Sequence, residues 1–176
     1  MKLTKLVKQL ENAGLNLQLC DGLTCDEIKS LEKSVGSSFD DATRQTYSLC
    51  GGQEPGGIAL FGCFRLLPPA EILRTVEEMK IYPRSDKEDP DGNPRLKRDR
   101  FWRPGWLFLA KDVHGIYLVV DFDPRHPSYA GHVFLWNAET PFDTTVANSV
   151  EHLVDLSLDW DRETNNYFKA IPLASA

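Results

Sequence analysis

Three short apolar runs in the second half of the chain constrain the fold more than any other feature. They are WLFLA at 106–110, IYLVVDF at 116–122 and HVFLW at 132–136. Each run is rich in β-branched or aromatic residues, and turn-forming residues separate them, which is typical of consecutive strands. The first connection, KDVHG, is short enough for a hairpin, so the first two strands are predicted to be antiparallel. The second connection, DPRHPSYAG, contains two prolines and a glycine and is predicted to be an irregular loop.

Helical patterns precede these strands. The apolar residues of the N-terminal segment recur at helical spacing and predict a helix over residues 4–13. In LTCDEIKSLEKSVG, Thr24 and Glu27 stand three residues apart, as in a capping box, and predict the start of a second helix. Gly36 follows its last apolar residue and is predicted to end it.

Two more helices are predicted before the first of these strands. Asp40 or Asp41 can cap a third helix that runs through Leu49, and it is closed by Cys50-Gly51-Gly52, where a left-handed residue is easiest for glycine. Pro68-Pro69 suits the start of a helix, and the apolar spacing that follows predicts a fourth helix over residues 69–80.

The remaining segments complete an α+β pattern. Residues 83–100 contain eleven charged side chains and one aliphatic one, so they are predicted to form a mobile charged loop. A last helix, covering one face of the sheet, is predicted from the apolar residues Val146, Val150, Leu153 and Val154. Helices first, strands in the middle and a helix at the end predict a single α+β domain over residues 1–176. Its central sheet is expected to be mixed but mostly antiparallel, with helices flanking it.

Composition limits what such a domain can bind. The chain has 176 residues, of which 41% are hydrophobic, and this is enough for one core. Its net charge of −6 argues against nucleic acid as a partner, because phosphate contacts need clustered Lys and Arg, and favours a basic partner. The N-terminus lacks the apolar core of a secretory signal, and no run approaches the roughly 20 apolar residues that span a bilayer. We therefore expect a cytoplasmic protein with no membrane partner.

No sequence motif indicates catalysis or a bound cofactor. The four cysteines include no Cys-x-x-Cys pair, which disfavours a zinc site and indicates reduced, mostly buried thiols. The loop GGQEPGG lacks the Gly-Lys-Ser/Thr ending of a phosphate-binding loop, and no serine lies in a Gly-x-Ser-x-Gly motif. We expect no catalytic residue, no metal and no cofactor.

Asp121 and Asp123 form the one acidic pair that suggests chemistry. Asp121 ends a predicted strand and Asp123 precedes Pro124, a setting in which aspartate commonly accepts a hydrogen bond from an amide two residues on. This interpretation makes both residues turn formers. The alternative adds His126 and His132 to give the mixed oxygen and nitrogen ligands of a metal-dependent hydrolase, although the spacing is not that of a firm zinc motif.

Loop residues are the candidates for contacts with another protein. Trp106 is internal to its predicted strand and Trp102 is not, so Trp102 is the tryptophan expected at a contact surface. Glu54 lies in the glycine-rich loop and is expected to be exposed. The predicted binding residues are Glu54, Trp102, Asp121 and Asp123.

Several motifs follow one another in a characteristic order between residues 23 and 136. They are LTCDEIKSLEKSVG, YSLCGGQEPGG, LFGCFRLLPPAEI, WRPGWLFLAKD and YLVVDFDP, with Gly131 before a later strand. In this order they resemble the SUKH superfamily, and most closely its Smi/Knr type. The resemblance implies an α+β domain that acts by binding proteins and brings no catalytic residues with it.

The resemblance leaves more than one function open. Many bacterial members are similar to immunity proteins, which implies that this chain neutralises a toxin, for example one with a basic nuclease domain. Fungal relatives resemble scaffolds in cell-wall signalling, which implies a housekeeping regulator of cell-wall or signalling enzymes. The metal-dependent hydrolase is the alternative from a different class.

Overall fold

The computed structural model describes residues 2–80, 103–124, 126–137 and 144–159. The helices in this part of the chain are α1 (Lys2–Asn12), α2 (Cys25–Val35), α3 (Asp41–Leu49), α4 (Pro69–Lys80) and α5 (Val150–Leu158). The strands are β1 (Arg65–Leu66), β2 (Trp106–Lys111), β3 (Tyr117–Asp121), β4 (His132–Trp136) and β5 (Thr145–Ala147). The α+β fold is confirmed. The charged segment 83–100 and Trp102 lie outside the described residues.

The strands form one sheet in the order β1-β2-β3-β4-β5, and all four neighbouring pairs are antiparallel. The predicted hairpin is confirmed, with Lys111 of β2 opposite Tyr117 of β3. Every residue of β3 is buried, as are the first five of β2. Because side chains alternate between the two faces of a strand, both faces of the central sheet are covered.

Local capping signals set the helix boundaries. Thr24 and Glu27 form the predicted capping box: the Glu27 amide donates to Thr24 Oγ1 at 3.3 Å, and the Thr24 amide donates to Glu27 Oε2 at 2.8 Å. Gly36 ends α2 with a φ of 85°, in the left-handed region that favours glycine. Asp40 caps α3 by accepting from the Thr43 amide at 2.7 Å. The bounds of α4 are those predicted.

The sequence prediction was wrong at both edges of the sheet. Val146 belongs to the edge strand β5, and the last helix starts at Val150. The apolar spacing suits a helix, but Ser149 caps α5 by accepting from the His152 amide at 3.0 Å, so the helix cannot begin earlier. The short strand β1 at the other edge was also missed.

Gly51 and Gly52 allow the backbone to pass close to other segments, and they do not end helix α3. Residue 50, the C-cap of α3, is extended rather than left-handed. A Cβ on Gly51 would lie 2.3 Å from the carbonyl oxygen of Asp21, and one on Gly52 would lie 2.6 Å from Cα of Pro68. Gly52 also has a φ of 132°. The chain that leaves α3 therefore passes between two other backbone segments.

The buried side chain of Gln53 joins these segments to the sheet. Its Nε2 donates to the carbonyl oxygens of Leu17 and Ile58 at 2.7 and 2.8 Å. Its Oε1 accepts from the amides of Leu60 and Leu66 at 3.0 and 3.1 Å. The side chain is 0% exposed, so the amide satisfies four backbone groups that water does not reach.

Gln53→Leu should destabilise the protein by at least about 4 kcal/mol, because it leaves four buried backbone groups without a partner and each costs about 1–3 kcal/mol. Denaturant unfolding measures this loss. The control is Gln45→Leu on the exposed side of α3, which should change stability by less than about 0.5 kcal/mol. Equal effects of the two substitutions would show that the Gln53 hydrogen bonds do not organise the fold.

Gly52→Ala should destabilise the protein by more than about 2 kcal/mol, since it combines an unfavourable positive φ with a clash against the Pro68 backbone. Gly14→Ala separates the two effects. Gly14 has a φ of 76°, but a Cβ added there would have no atom within 4 Å, so only the backbone cost of about 1–2 kcal/mol is expected. Thermal or denaturant unfolding of both variants gives the comparison.

Candidate protein-binding surface

Asp121 lies at the end of the sheet where β3 stops. It pairs in register with Trp106 of β2 on one side and His132 of β4 on the other. Its Oδ1 accepts from the Asp123 amide at 2.9 Å, which confirms the predicted turn-forming role. The residue is 1% exposed, so the side chain of Asp121 supports the turn from a buried position.

The second carboxyl oxygen of Asp121 is buried without a hydrogen bond in the described part of the chain. Burial raises the pKa of Asp121 above its ordinary value of 3.8. The bond from the Asp123 amide, the nearby indole of Trp106 and the guanidinium of Arg103 offset part of that rise. The Trp106 indole affects the pKa although its Nε1 lies outside hydrogen-bond geometry.

Asp123 is the accessible member of the acidic pair. Its side chain is 53% exposed, and Nη2 of Arg103 lies 3.4 Å from its Oδ2. A Cβ on Gly105 would lie 2.8 Å from Cβ of Asp123, so only glycine at that position lets the two loops meet. Asp123 and Arg103 therefore form a charged pair at the surface of the sheet end.

The predicted metal ligands do not come together as a ligand set. Asp121 is engaged with the Asp123 amide, and Nδ1 of His126 lies 2.8 Å from Oγ of Ser128. In the ranges that the structure describes, no three His, Cys, Asp or Glu side chains are placed to share an ion. The geometry gives no support to the hydrolase alternative.

Glu54 is exposed, as predicted, but it lies away from the end of the sheet that carries Asp121 and Asp123. The amide of Glu54 donates to the Gln18 carbonyl at 2.9 Å, and its Oε1 accepts from the Cys20 thiol at 3.6 Å. The preceding Gln53 bonds to Leu66, which pairs with Ala110 at the opposite end of β2 from Trp106. Four residues along a strand correspond to about 13 Å. The structure therefore separates Glu54 from Asp121 and Asp123.

Sequence reasoning missed a surface cleft where the first turns of α1, α3 and α5 meet. Its volume is about 240 Å³, and Lys2, Asp41 and Glu151 contribute its charged groups. We call it the three-helix cleft. Nζ of Lys2 lies 3.2 Å from Glu151 Oε1 and 2.7 Å from Asp155 Oδ2. Hydrogen bonds to Asp155 and Glu151 raise the pKa of Lys2.

The three-helix cleft leaves no local signal in the sequence. Lys2 and Asp155 are separated by 153 positions, and only tertiary packing of α1 on α5 brings them together.

The described helices include none with the length and hydropathy needed to cross a bilayer.

Comparison with known families identifies the domain. A model of the SMI1/KNR4 family (SUKH-1) matches residues 22–156, which include all five strands and most of the helices that the structure describes. The chain belongs to the SMI1/KNR4 family. This confirms the resemblance that the order of motifs indicated.

Two fungal proteins are similar to this SMI1/KNR4 chain. The cell wall biosynthesis/cell cycle regulator smi1 of Schizosaccharomyces pombe is 26% identical over 155 residues, covering 77% of this chain and 30% of that protein. The glucan synthesis regulatory protein of Neurospora crassa is 22% identical over 175 residues, covering 78% of this chain and 33% of that protein. The chain spans about a third of the length of these relatives.

Asp121→Asn should change how stability depends on pH. Because burial raises the pKa of Asp121 in the folded state, its favourable contribution is complete below the unfolded value near 3.8 and is lost as pH rises through the folded pKa. The asparagine variant has no such loss, so its stability relative to the wild type should improve as the pH rises above the unfolded value of 3.8. Urea unfolding at several pH values measures the difference.

Val119→Ala is the control for the pH experiment. It removes buried apolar atoms from the same strand without changing a titrating group, so its cost of about 1–3 kcal/mol should be the same at each pH. If the difference in stability between Asp121→Asn and the wild type is also the same at every pH, this would contradict a raised pKa for Asp121.

Proposed function

We propose that this chain is a non-catalytic protein-binding module that regulates the protein it binds. The observation that carries the proposal is the SMI1/KNR4 family match over residues 22–156. The names of both fungal relatives describe regulators. The matched residues contain all five strands in the described ranges, so the match extends over most of the fold and not one short motif.

The exposed surface is suited to a macromolecular partner. Since both faces of the central strands are buried, the helices, the loops and the ends of the sheet carry the accessible groups. The net charge of −6 favours a basic partner, because complementary charge speeds association and disfavours acidic competitors. The exposed Glu54 and Asp123 remain proposed contacts on two separate parts of this surface, and Trp102 remains a third.

An enzyme or regulator of wall glucan synthesis is the first candidate partner. The names of the two relatives support it, since one regulates cell wall biosynthesis and the other glucan synthesis. This chain corresponds to about a third of each relative. The proposal therefore concerns the binding role of the shared domain and not every activity of the longer proteins.

A basic toxin domain is the second candidate partner. The acidic charge of the chain favours it, because an immunity protein that covers a nuclease surface must complement the positive charge with which a nuclease holds its substrate. If the partner is a toxin, the chain blocks its activity. If the partner is a wall-synthesis protein, the chain regulates its activity.

Binding can be tested with the purified full chain. We expect a stoichiometric complex with either a wall-synthesis protein or a toxin encoded beside its gene, and we expect the affinity to fall as salt rises from about 50 to 200 mM, because charge screening weakens exposed pairs. Calorimetry measures both, and co-expression with the toxin should restore growth in the second case.

The control for this experiment is an unrelated domain with the same net charge. If the chain binds neither class of protein more tightly than that domain does, the binding function is wrong. Rescue of growth without a wall-synthesis complex would select immunity, and the reverse result would select regulation.

A further inference from the structure

We propose that Cys20 and Cys50 form a reversible disulfide when the protein reacts with a small-molecule disulfide such as glutathione disulfide. The two thiols constitute a redox modification site. This inference goes beyond the proposed binding function and does not depend on it. Helices α2 and α3 lie between the two cysteines in the chain, and the fold brings both to one backbone carbonyl group.

The carbonyl oxygen of Gly52 is the point at which the two cysteines meet. It accepts from the Cys20 amide at 2.9 Å and from the Cys50 thiol at 2.9 Å. The amide of Gly51, the residue after Cys50, donates to the Cys20 carbonyl at 3.3 Å. Sγ of Cys50 therefore lies beside the backbone of Cys20.

The backbone segments that carry the two cysteines are close enough for a disulfide. Leu19 and Gln53 form an antiparallel bridge next to them. Segments paired in this way have facing Cα atoms about 4.5–5.5 Å apart, and a disulfide joins Cα atoms about 4.4–6.8 Å apart. The bridge can therefore form by rotation of the Cys20 side chain.

Exposure gives the two thiols different roles. Cys20 is partly exposed, and its Sγ donates to Glu54 Oε1 at 3.6 Å. Cys50 is 0% exposed. A small-molecule disulfide can therefore reach Cys20 first. The thiol bond to Glu54 is long and lies at the surface, so the Cys20 side chain gives up little when it turns towards Cys50.

Two exchange steps form the bridge. The Cys20 thiolate attacks one sulfur of glutathione disulfide, which gives a mixed disulfide and releases one glutathione thiolate. The Cys50 thiolate then attacks Sγ of Cys20, and the second glutathione thiolate leaves. The two thiol protons end on the two released glutathione molecules. The protein is oxidised by two electrons, and glutathione disulfide is reduced to two molecules of glutathione.

Proximity and not acidity selects this pair. Burial raises the pKa of Cys20, and the hydrogen bond to Glu54 adds to the rise. The nearby Asp21 raises this pKa further, and Arg65 lowers it. Burial also raises the pKa of Cys50. Because the thiolate is the reacting form, exchange should be about tenfold faster at pH 8 than at pH 7.

The test uses the reduced full chain with Cys25→Ser and Cys63→Ser, which we call the two-thiol variant. Both substituted cysteines are exposed, so the fold should be unchanged. Incubation with glutathione disulfide at pH 8 should give a monomer that is lighter by two hydrogen atoms and carries no glutathione. Dithiothreitol should restore both thiols. Mass spectrometry measures each product, and the reaction should be about tenfold slower at pH 7.

The matched control is Cys20→Ser with Cys50→Ser, which keeps Cys25 and Cys63 instead. It should form mixed disulfides with glutathione and no internal bridge. A second control adds Cys20→Ser to the two-thiol variant. It retains the buried Cys50 and should also form no internal bridge, so the comparison holds even if substitution of Cys50 prevents folding.

The fold itself must promote the bridge. In a buffer of reduced and oxidised glutathione, the equilibrium constant for the bridge in the two-thiol variant should be at least about tenfold greater in the folded protein than in concentrated urea. The reason is that the native structure holds the two thiols together.

Three results would overturn the proposal. They are equal equilibrium constants in the folded and unfolded protein, a two-thiol variant that keeps glutathione attached to Cys20, or an internal bridge that forms equally well between Cys25 and Cys63 in the matched control. None of these measurements involves a partner protein. Failure of this inference would therefore leave the proposed binding function standing, and failure to find a binding partner would leave the disulfide standing.

Discussion

The four hydrogen bonds of Gln53 join three segments that otherwise meet through an isolated β-bridge between Leu19 and Gln53 and a few backbone hydrogen bonds. One buried side-chain amide bonds to the loop before α2, the glycine-rich loop and β1. An apolar side chain of similar size would fill the space but leave the backbone groups without partners. The glycines just before Gln53 are part of the same arrangement, because Gly51 and Gly52 let the chain pass close to Asp21 and Pro68 and so place the amide correctly.

Gln53 also links the helical half of the chain to the edge of the sheet. Its Oε1 accepts from Leu66 of β1, and the Gln53 amide donates to the Leu66 carbonyl at 3.0 Å. This covers the outer side of β1, a short strand that would otherwise present free backbone groups. With both sheet faces buried as well, recognition of another protein is left to the helices, the loops and the ends of the sheet.

Sequence patterns predicted the elements that are set by neighbours in the chain. Thr24 and Glu27 are three residues apart, and Pro69 starts its own helix, so α2 and α4 could be located from these signals. β1 and β5 could not, because they are only two and three residues long and their conformation is determined by pairing with Ala110 and Val133 in other strands. The same limit applies to function: Glu54, Asp121 and Asp123 were all predicted as binding residues, and only the strand register shows that Glu54 lies near one end of β2 and Asp121 beside the other.

The three-helix cleft shows which contacts hold α1 in the fold. Leu3, Leu6 and Leu10 are at most 5% exposed, and full burial of such a side chain contributes about 1.5–3 kcal/mol. Exposed ion pairs contribute far less to stability, so apolar contacts and not the pairs of Lys2 hold α1 in place. Packing therefore fixes where the charged groups of the cleft stand, and the ion pairs of Lys2 follow from the position of α1 on α5.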